Sequence, residues 1–320
     1  MRWNRRRSER AFRPAVEGEM ETRMLPSGFA GNLAGHAGNI APREFFVHRA
    51  PTHVPFGPRV GIQSFFGGQG SRVAVGNGEV FNISVYNVAN PLIAGGQIHA
   101  FPMSGGRVGL IVAGTTQQSA LSIDPVAFPL RKGTAHQFAY RVDNQSQTLN
   151  IGEIIVKSGS IYQILGYHTA DLSGPIIVNG FGTVDRIALD TILPGGSIDV
   201  GGTLNTLDVV HNANFDGGTG LFVGRDLNWM DIGQDLNFAG GSSMYIARDL
   251  GLVAQGSKGT DTGGQGALVH GNVNIAPGSS MNFGRFIDAP FTIYGSLNGY
   301  SRVNPTAALG KIIAYGGGTP

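Results

Sequence analysis

A six-residue phrase that recurs about every 23 residues constrains this chain more than any other feature. Val223-Gly224-Arg225-Asp226-Leu227-Asn228 returns as Ile246-Ala247-Arg248-Asp249-Leu250-Gly251 and again as Val269-His270-Gly271-Asn272-Val273-Asn274, with 246 − 223 = 23 and 269 − 246 = 23. A fixed period of this length marks a solenoid, in which each repeat is one coil stacked on the last. One apolar position falls at Ile161, Val184, Leu204, Leu227, Leu250, Val273 and Leu297, which reads as seven units. A second apolar column lies three residues on, at Ile164, Ile187, Leu207, Met230, Val253, Ala276 and Tyr300. Upstream, alternating pairs such as Ile198/Val200, Leu221/Val223, Met244/Ile246, Ala267/Val269 and Phe291/Ile293 mark strands with one face turned inward. Two short strands per unit bury their apolar faces only by stacking coil on coil, about 4.8 Å apart, which also pairs the backbone. The pattern predicts an all-β chain, a single parallel β-helix, and the crossover rule for parallel strands favours right-handed winding.

Composition agrees with that reading and removes several function classes. Gly accounts for 51 of the 320 residues without a strict third-position period, so collagen is excluded, and 41% hydrophobic residues are enough to fill a core. Residues 1–24 hold seven Arg and four Glu, a balance of 7 − 4 = +3, which leaves 23 − 7 = 16 basic and 21 − 4 = 17 acidic residues in the remainder. The basic character is therefore confined to a tail, and the body has no net electrostatic drive towards nucleic acid. With no cysteine, disulfides, thiolate metal sites and cysteine nucleophiles are out. No apolar run approaches a membrane span, and no apolar stretch follows the charged N-terminus as an ordinary signal peptide requires.

Residues 1–58 read as a disordered basic sorting tail and linker, 59–150 as a β-rich N-terminal cap or the first coils, and 151–320 as the repeats. The Gly-rich stretch Gln255 to Gly266 reads as a loop bulging from one coil, with Asp261 as a ligand contact.

The corner column Asn205, Asn228, Gly251, Asn274 and Asn298 reads as an asparagine ladder whose amides bond along the stack and satisfy turn backbones. Asp226 and Asp249 read as turn acids bonding backbone N–H groups, with the neighbouring Arg as counter-charge. A calcium β-roll fails because Gly217-Gly218-Thr219-Gly220 and Gly263-Gly264-Gln265-Gly266 are followed by apolar residues instead of Asp. The eight histidines show no zinc-protease pairing, no nucleophile elbow is present, and no cofactor or metal is expected. Pectin-hydrolase-like β-helices carry adjacent Asp pairs, a Gly-His-Gly turn and an Arg-x-Lys motif, none of which occurs here. A lyase-type site stays open: Asp185, Arg186, Asp190, Asp208 and Asp231 lie within the stack, and their convergence on one groove would favour an enzyme.

The segment Arg13-Pro14-Ala15-Val16-Glu17-Gly18-Glu19-Met20-Glu21-Thr22-Arg23-Met24-Leu25-Pro26-Ser27 resembles the N-terminal motif of large exported planctomycete proteins, with Glu21, Arg23, Leu25 and Ser27 in place, Met20 standing for Leu and Pro26 for the second Leu. Segments such as Gly224-Arg225-Asp226-Leu227-Asn228 are similar to the autotransporter-like β-solenoid repeats of those proteins, over roughly residues 60–320. The resemblance implies an extracellular or cell-surface setting and carries over no catalytic residue.

The function expected is structural or adhesive, through multivalent weak contacts to cell-envelope components or polysaccharide along a repetitive surface. Tyr162, Tyr245 and Trp229 are the expected sugar contacts, with Tyr167, Tyr294 and Tyr300 as further aromatics able to stack on sugars. A polysaccharide lyase or hydrolase is the alternative, and a subunit that self-associates end to end through an open coil edge is the second.

Overall fold

The computed structural model describes residues 61–65, 70–75, 80–91, 94–126, 148–157, 159–251, 266–285, 290–299, 303–305 and 312–316. Every described residue lies within one compact unit, Arg49–Pro320, and the tail of residues 1–58 with its sorting motif lies outside the described residues.

That unit is a parallel β-solenoid of about six turns with coils of about 23 residues. Each coil contributes three strands, one to each of three ladders. The first ladder stacks Ile161–Leu165, Val184–Leu189, Leu204–Val209, Leu227–Ile232, Ala267–Val269, Phe291–Ile293 and Ile312–Ala314 in parallel. The second runs from the N-terminal half of Leu149–Val156 through Ala170–Leu172, Thr191–Ile192, Ala213–Phe215, Leu236–Phe238 and Val273–Ile275 to Leu297–Asn298. The third runs from the C-terminal half of Leu149–Val156 through Pro175–Val178, Ser197–Val200, Gly220–Val223, Ser243–Ile246 and Ser280–Phe283 to Val303–Pro305.

Sequence chemistry explains where each coil turns. Between the second and third ladders, Leu193-Pro194-Gly195-Gly196 and Ala276-Pro277-Gly278-Ser279 close with a bond from the fourth N–H to the first carbonyl, with Gly195 at φ 91° and Gly278 at φ 85°. Pro then Gly with positive φ is the recipe for a type II turn. The two intervening coils use Gly217-Gly218 and Gly240-Gly241 instead, positive at both residues as a type I′ turn needs.

Inside, the apolar columns form one continuous core that also takes in Val73, Phe81, Ile83 and Val112 from the N-terminal strands. Phe215 and Phe238, one coil apart, stack with centroids 5.3 Å apart. The strands before residue 126 are mixed in direction: Gly61–Phe65, Gly70–Ala74 and Val80–Asn87 form an antiparallel meander. It passes through Ser119–Pro125, antiparallel to Val80–Asn87, onto the first ladder, where pairing becomes parallel. Gln97–Pro102 and Val108–Ala113 make a hairpin whose second strand pairs in parallel with Leu149–Val156.

The register corrects the sequence phasing. Leu250 bridges Leu227, while Ala267 pairs with Met230, so 230 − 227 = 3 positions on one coil face 267 − 250 = 17 on the next. Fourteen extra residues enter that coil, and residues 252–265, with Val253 and Asp261, lie outside the described residues. Val269–Asn274 therefore does not stack on Ile246–Gly251. It stacks on Ile232-Gly233-Gln234-Asp235-Leu236-Asn237, at the next corner of the coil. The two corners are 232 − 223 = 9 residues apart, and 9 + 14 = 23, so the insertion mimics an unbroken period while the chain changes corner. Ala276 accordingly falls after a strand of the second ladder, not on the column of Met230.

Candidate functional site

Strands of the first ladder share a burial pattern with inward residues at positions one, four and six, as in Leu204, Leu207 and Val209. Position five thus faces outward and carries Asp208 and Asp231 on successive coils, while position three carries Arg186, Thr206 and Trp229. At the following corner Gly233 stacks over Val210, where a Cβ would run into the Val210 carbonyl, so only glycine fits there. Its missing side chain leaves a hollow between Val210 and His270.

These features make a cleft of about 230 Å³ lined by Tyr167, Arg186, Asp208, Val209, Val210, Asp231, Gly233 and His270. Arg186 Nε lies 2.5 Å from Asp208 Oδ2, and His270 Nε2 lies 3.2 Å from Asp231 Oδ1. Burial pushes the Asp208 carboxyl above its ordinary range, the Arg186 guanidinium pulls it back, and the Asp231 charge adds to the rise. Aromatic rings mark both ends. Tyr167 is 49% exposed, and His270 leads on to Tyr294 at 5.5 Å and from there to Tyr315 at 5.7 Å, which are 53% and 65% exposed.

Beside the cleft sits a second polar group. Asp190, buried, is 3.1 Å from His211 Nδ1, 3.8 Å from His168 Nδ1, and accepts a bond from the Thr191 hydroxyl at 3.1 Å. Burial raises the carboxyl of neighbouring Asp171, the Thr148 hydroxyl that donates to it opposes the rise, and Asp190 adds to it. Among the described residues no group of three or more His, Asp or Glu side chains is placed to hold a metal ion. Nor is any helix among them long and apolar enough to cross a membrane.

Of the acids named from sequence, the cleft gathers only Asp208 and Asp231 with Arg186. Asp190 belongs to the histidine pair, and Asp185 accepts a bond from Asn205 Nδ2 at 2.9 Å on the strand's other outward column. Tyr162 is half-buried at the head of that column. Trp229, also half-buried, pairs with Thr206 and does not line the cleft. Tyr245 stands on the third ladder beside Phe222, so these three sugar contacts do not share a site. Tyr167 and Tyr294 are among the aromatics expected to stack on sugars, whereas Gly233, His270 and Tyr315 went unmarked; Tyr300 lies outside the described residues. The signal that Gly233, His270, Tyr294 and Tyr315 share is the residue after each first-ladder strand, legible only once the insertion is placed.

The asparagines form two ladders, not one. Asn228 Nδ2 donates to Asn205 Oδ1 at 2.7 Å on the first ladder. On the second, Asn298 donates to Asn274, Asn274 to Asn237 and Asn237 to Asn214 at 2.7, 2.7 and 2.8 Å. Asn214 and Asn237 are members that sequence phasing omitted. Asp226 Oδ1 accepts the Asp249 N–H at 3.3 Å, and Asp249, 1% exposed, is held by the Arg285 guanidinium.

Compared with protein-family models, curated proteins and solved structures, the chain matches none. The fold is a β-solenoid, and no family or homologue is identified.

Proposed function

We propose that this chain is a structural and adhesive β-solenoid of the cell surface or extracellular space that binds a glycan along the corner cleft. One observation carries the reading: a polar floor of Arg186, Asp208, Asp231 and His270 runs along the coil axis between exposed tyrosines. From Tyr167 to His270 the cleft crosses four coil rises, about 19 Å at about 4.8 Å each, long enough for several sugar units. Paired carboxylates, a guanidinium and an imidazole answer the mixed donor and acceptor pattern of sugar hydroxyls, and exposed tyrosine rings offer stacking faces with a polar tip. The planctomycete-like tail supports the location, and envelope polysaccharide is the natural partner there. Titration of the full chain with neutral oligosaccharides tests the reading: binding should weaken in Tyr294→Ala and Arg186→Ala, and equal binding by both variants would sink it.

A second reading is favoured by the carboxylate pair itself. Asp208 and Asp231 face outward on adjacent strands, whose spacing of about 4.8 Å is close to the about 5–5.5 Å between carboxyls in retaining glycosidases. The raised Asp208 would serve as proton donor and Asp231 as nucleophile. Release of reducing ends that stops in Asp231→Asn is the outcome that would select it.

A further inference from the structure

The corner between the third and first ladders carries a feature that the cleft does not use. The N–H of Arg225 bonds to the Gly202 carbonyl, that of Arg248 to Arg225 and that of Arg285 to Arg248, each at 3.0 Å. Three exposed arginines thus hold the same place on successive coils, about 4.8 Å apart. Like charges directly opposite on neighbouring strands destabilise a sheet. Partial compensation lies underneath: Asp249 is held by Arg285, with Nε–Oδ1 at 3.3 Å, and Asp226 is half-buried one coil earlier. Neither Arg225 nor Arg248 forms an ion pair with a described residue.

Phe181 extends the row. It projects from a longer corner two coils before Arg225 and is 81% exposed. Gly202 stands between them without a side chain, and the Arg225 guanidinium lies 5.8 Å from the Phe181 ring across that gap. The row therefore reads aromatic ring, gap, then the Arg225 and Arg248 guanidinium groups one coil apart, with Arg285 beyond them held to Asp249.

We propose that this ridge binds a linear acidic glycan, with carboxylate or sulfate groups on its sugars, laid along the coil axis. The guanidinium fork matches carboxylate and sulfate oxygens two at a time, which a solvated point charge does not do. One-coil spacing is comparable with the length of one pyranose unit in an extended chain, so successive anionic sugars meet successive arginines. The exposed ring supplies a face for a terminal sugar. A nucleic acid is the less fitting polyanion, because single-strand sites interleave aromatics along a broad basic groove. Here one ring ends the row, and the chain beyond its tail carries a net charge of 16 − 17 = −1.

The site stands apart from the cleft and is read with separate variants. The probe is polygalacturonate, with neutral dextran as control, titrated into the full chain at low and at physiological salt. Wild-type protein should bind polygalacturonate more weakly as salt rises, and any dextran taken up by the cleft should bind equally to wild type and to the ridge variants. The double variant Arg225→Ala/Arg248→Ala should lose about tenfold or more in affinity while its β-sheet circular dichroism stays unchanged. Arg225→Lys/Arg248→Lys should fall between. Three results would overturn the proposal: wild-type affinity in the folded double variant, loss of binding on Arg5→Gln/Arg6→Gln/Arg7→Gln alone, or equal ridge-dependent binding of a single-stranded oligonucleotide.

Discussion

Two corners of each coil are built on one grammar and end with different surfaces. Val223-Gly224-Arg225-Asp226-Leu227-Asn228 leads from the third ladder into the first, and Ile232-Gly233-Gln234-Asp235-Leu236-Asn237 leads from the first into the second. In both, an apolar residue ends one strand and another starts the next. A glycine passes under a carbonyl of the preceding coil, an Asp caps an N–H of the next coil, and an Asn joins a ladder. The coils above differ. The first corner repeats Arg at its third position, and the second places His270, Tyr294 and Tyr315 at its second position after Gly233. Four positions of the six serve the backbone and core, and the second and third are shared between a glycine and the side chain that the corner presents. One corner becomes a charged ridge, the other a cleft.

Both corners rest on the same core, so the largest change should injure both. Phe238→Ala removes half of the stacked Phe215–Phe238 pair, and a loss of about 3–5 kcal/mol in urea unfolding is expected. Gly233→Val and Gly224→Val come next. Each drives side-chain atoms into a carbonyl of the coil below, Val210 in one case and Gly201 in the other, and each should cost about 1–3 kcal/mol or more. A neutral Gly233→Val would show that the corners do not share one backbone requirement.

The ladders sharpen the comparison at a smaller scale. Asn237 donates to Asn214 and accepts from Asn274, whereas among the described residues Asn298 only donates, to Asn274. Asn237→Ala should therefore cost roughly twice as much as Asn298→Ala, each bond contributing about 0.5–1.5 kcal/mol. Equal costs in thermal unfolding would mean that the ladder adds nothing beyond its turns.

Asp199, on the outward face of the third ladder and on neither corner, tests burial alone. Burial raises its carboxyl above 3.8, so the native chain keeps that proton to higher pH than the unfolded chain. The contribution to stability is complete below 3.8 and is lost as pH rises through the native value. Asp199→Asn should melt higher than wild type near neutral pH, with the gap closing as pH falls towards 3.8. Asp208→Asn in the cleft should gain less, because it also gives up the Arg186 pair. A wider gap at acid pH would reverse the sign and refute the burial account.

The smallest effect is expected from deleting residues 252–265. Gly251 would then join Gly266, restoring three steps between Leu250 and Ala267 to match those between Leu227 and Met230. The shortened chain should unfold close to wild type, and loss of cooperative unfolding would show that the register of the later coils depends on the insertion.

Coil length, inward columns and corner chemistry were legible in the residue order, because each is a local property. Alternation places Leu221 and Val223 inward whatever lies above them, and Pro194-Gly195 turns the chain by its own torsional preferences. The solenoid followed from those facts alone. What tertiary structure decided is which corner each phrase occupies. Because 9 + 14 equals the period, Val269–Asn274 looks the same to a sequence reading whether it stacks on Ile246 or on Ile232, and only backbone pairing with Ile232 settles it. That choice splits the asparagines into two ladders and puts Arg285 above Arg248. It also brings His270 to Asp231, because outward residues become neighbours only through a register set across 37 positions of chain.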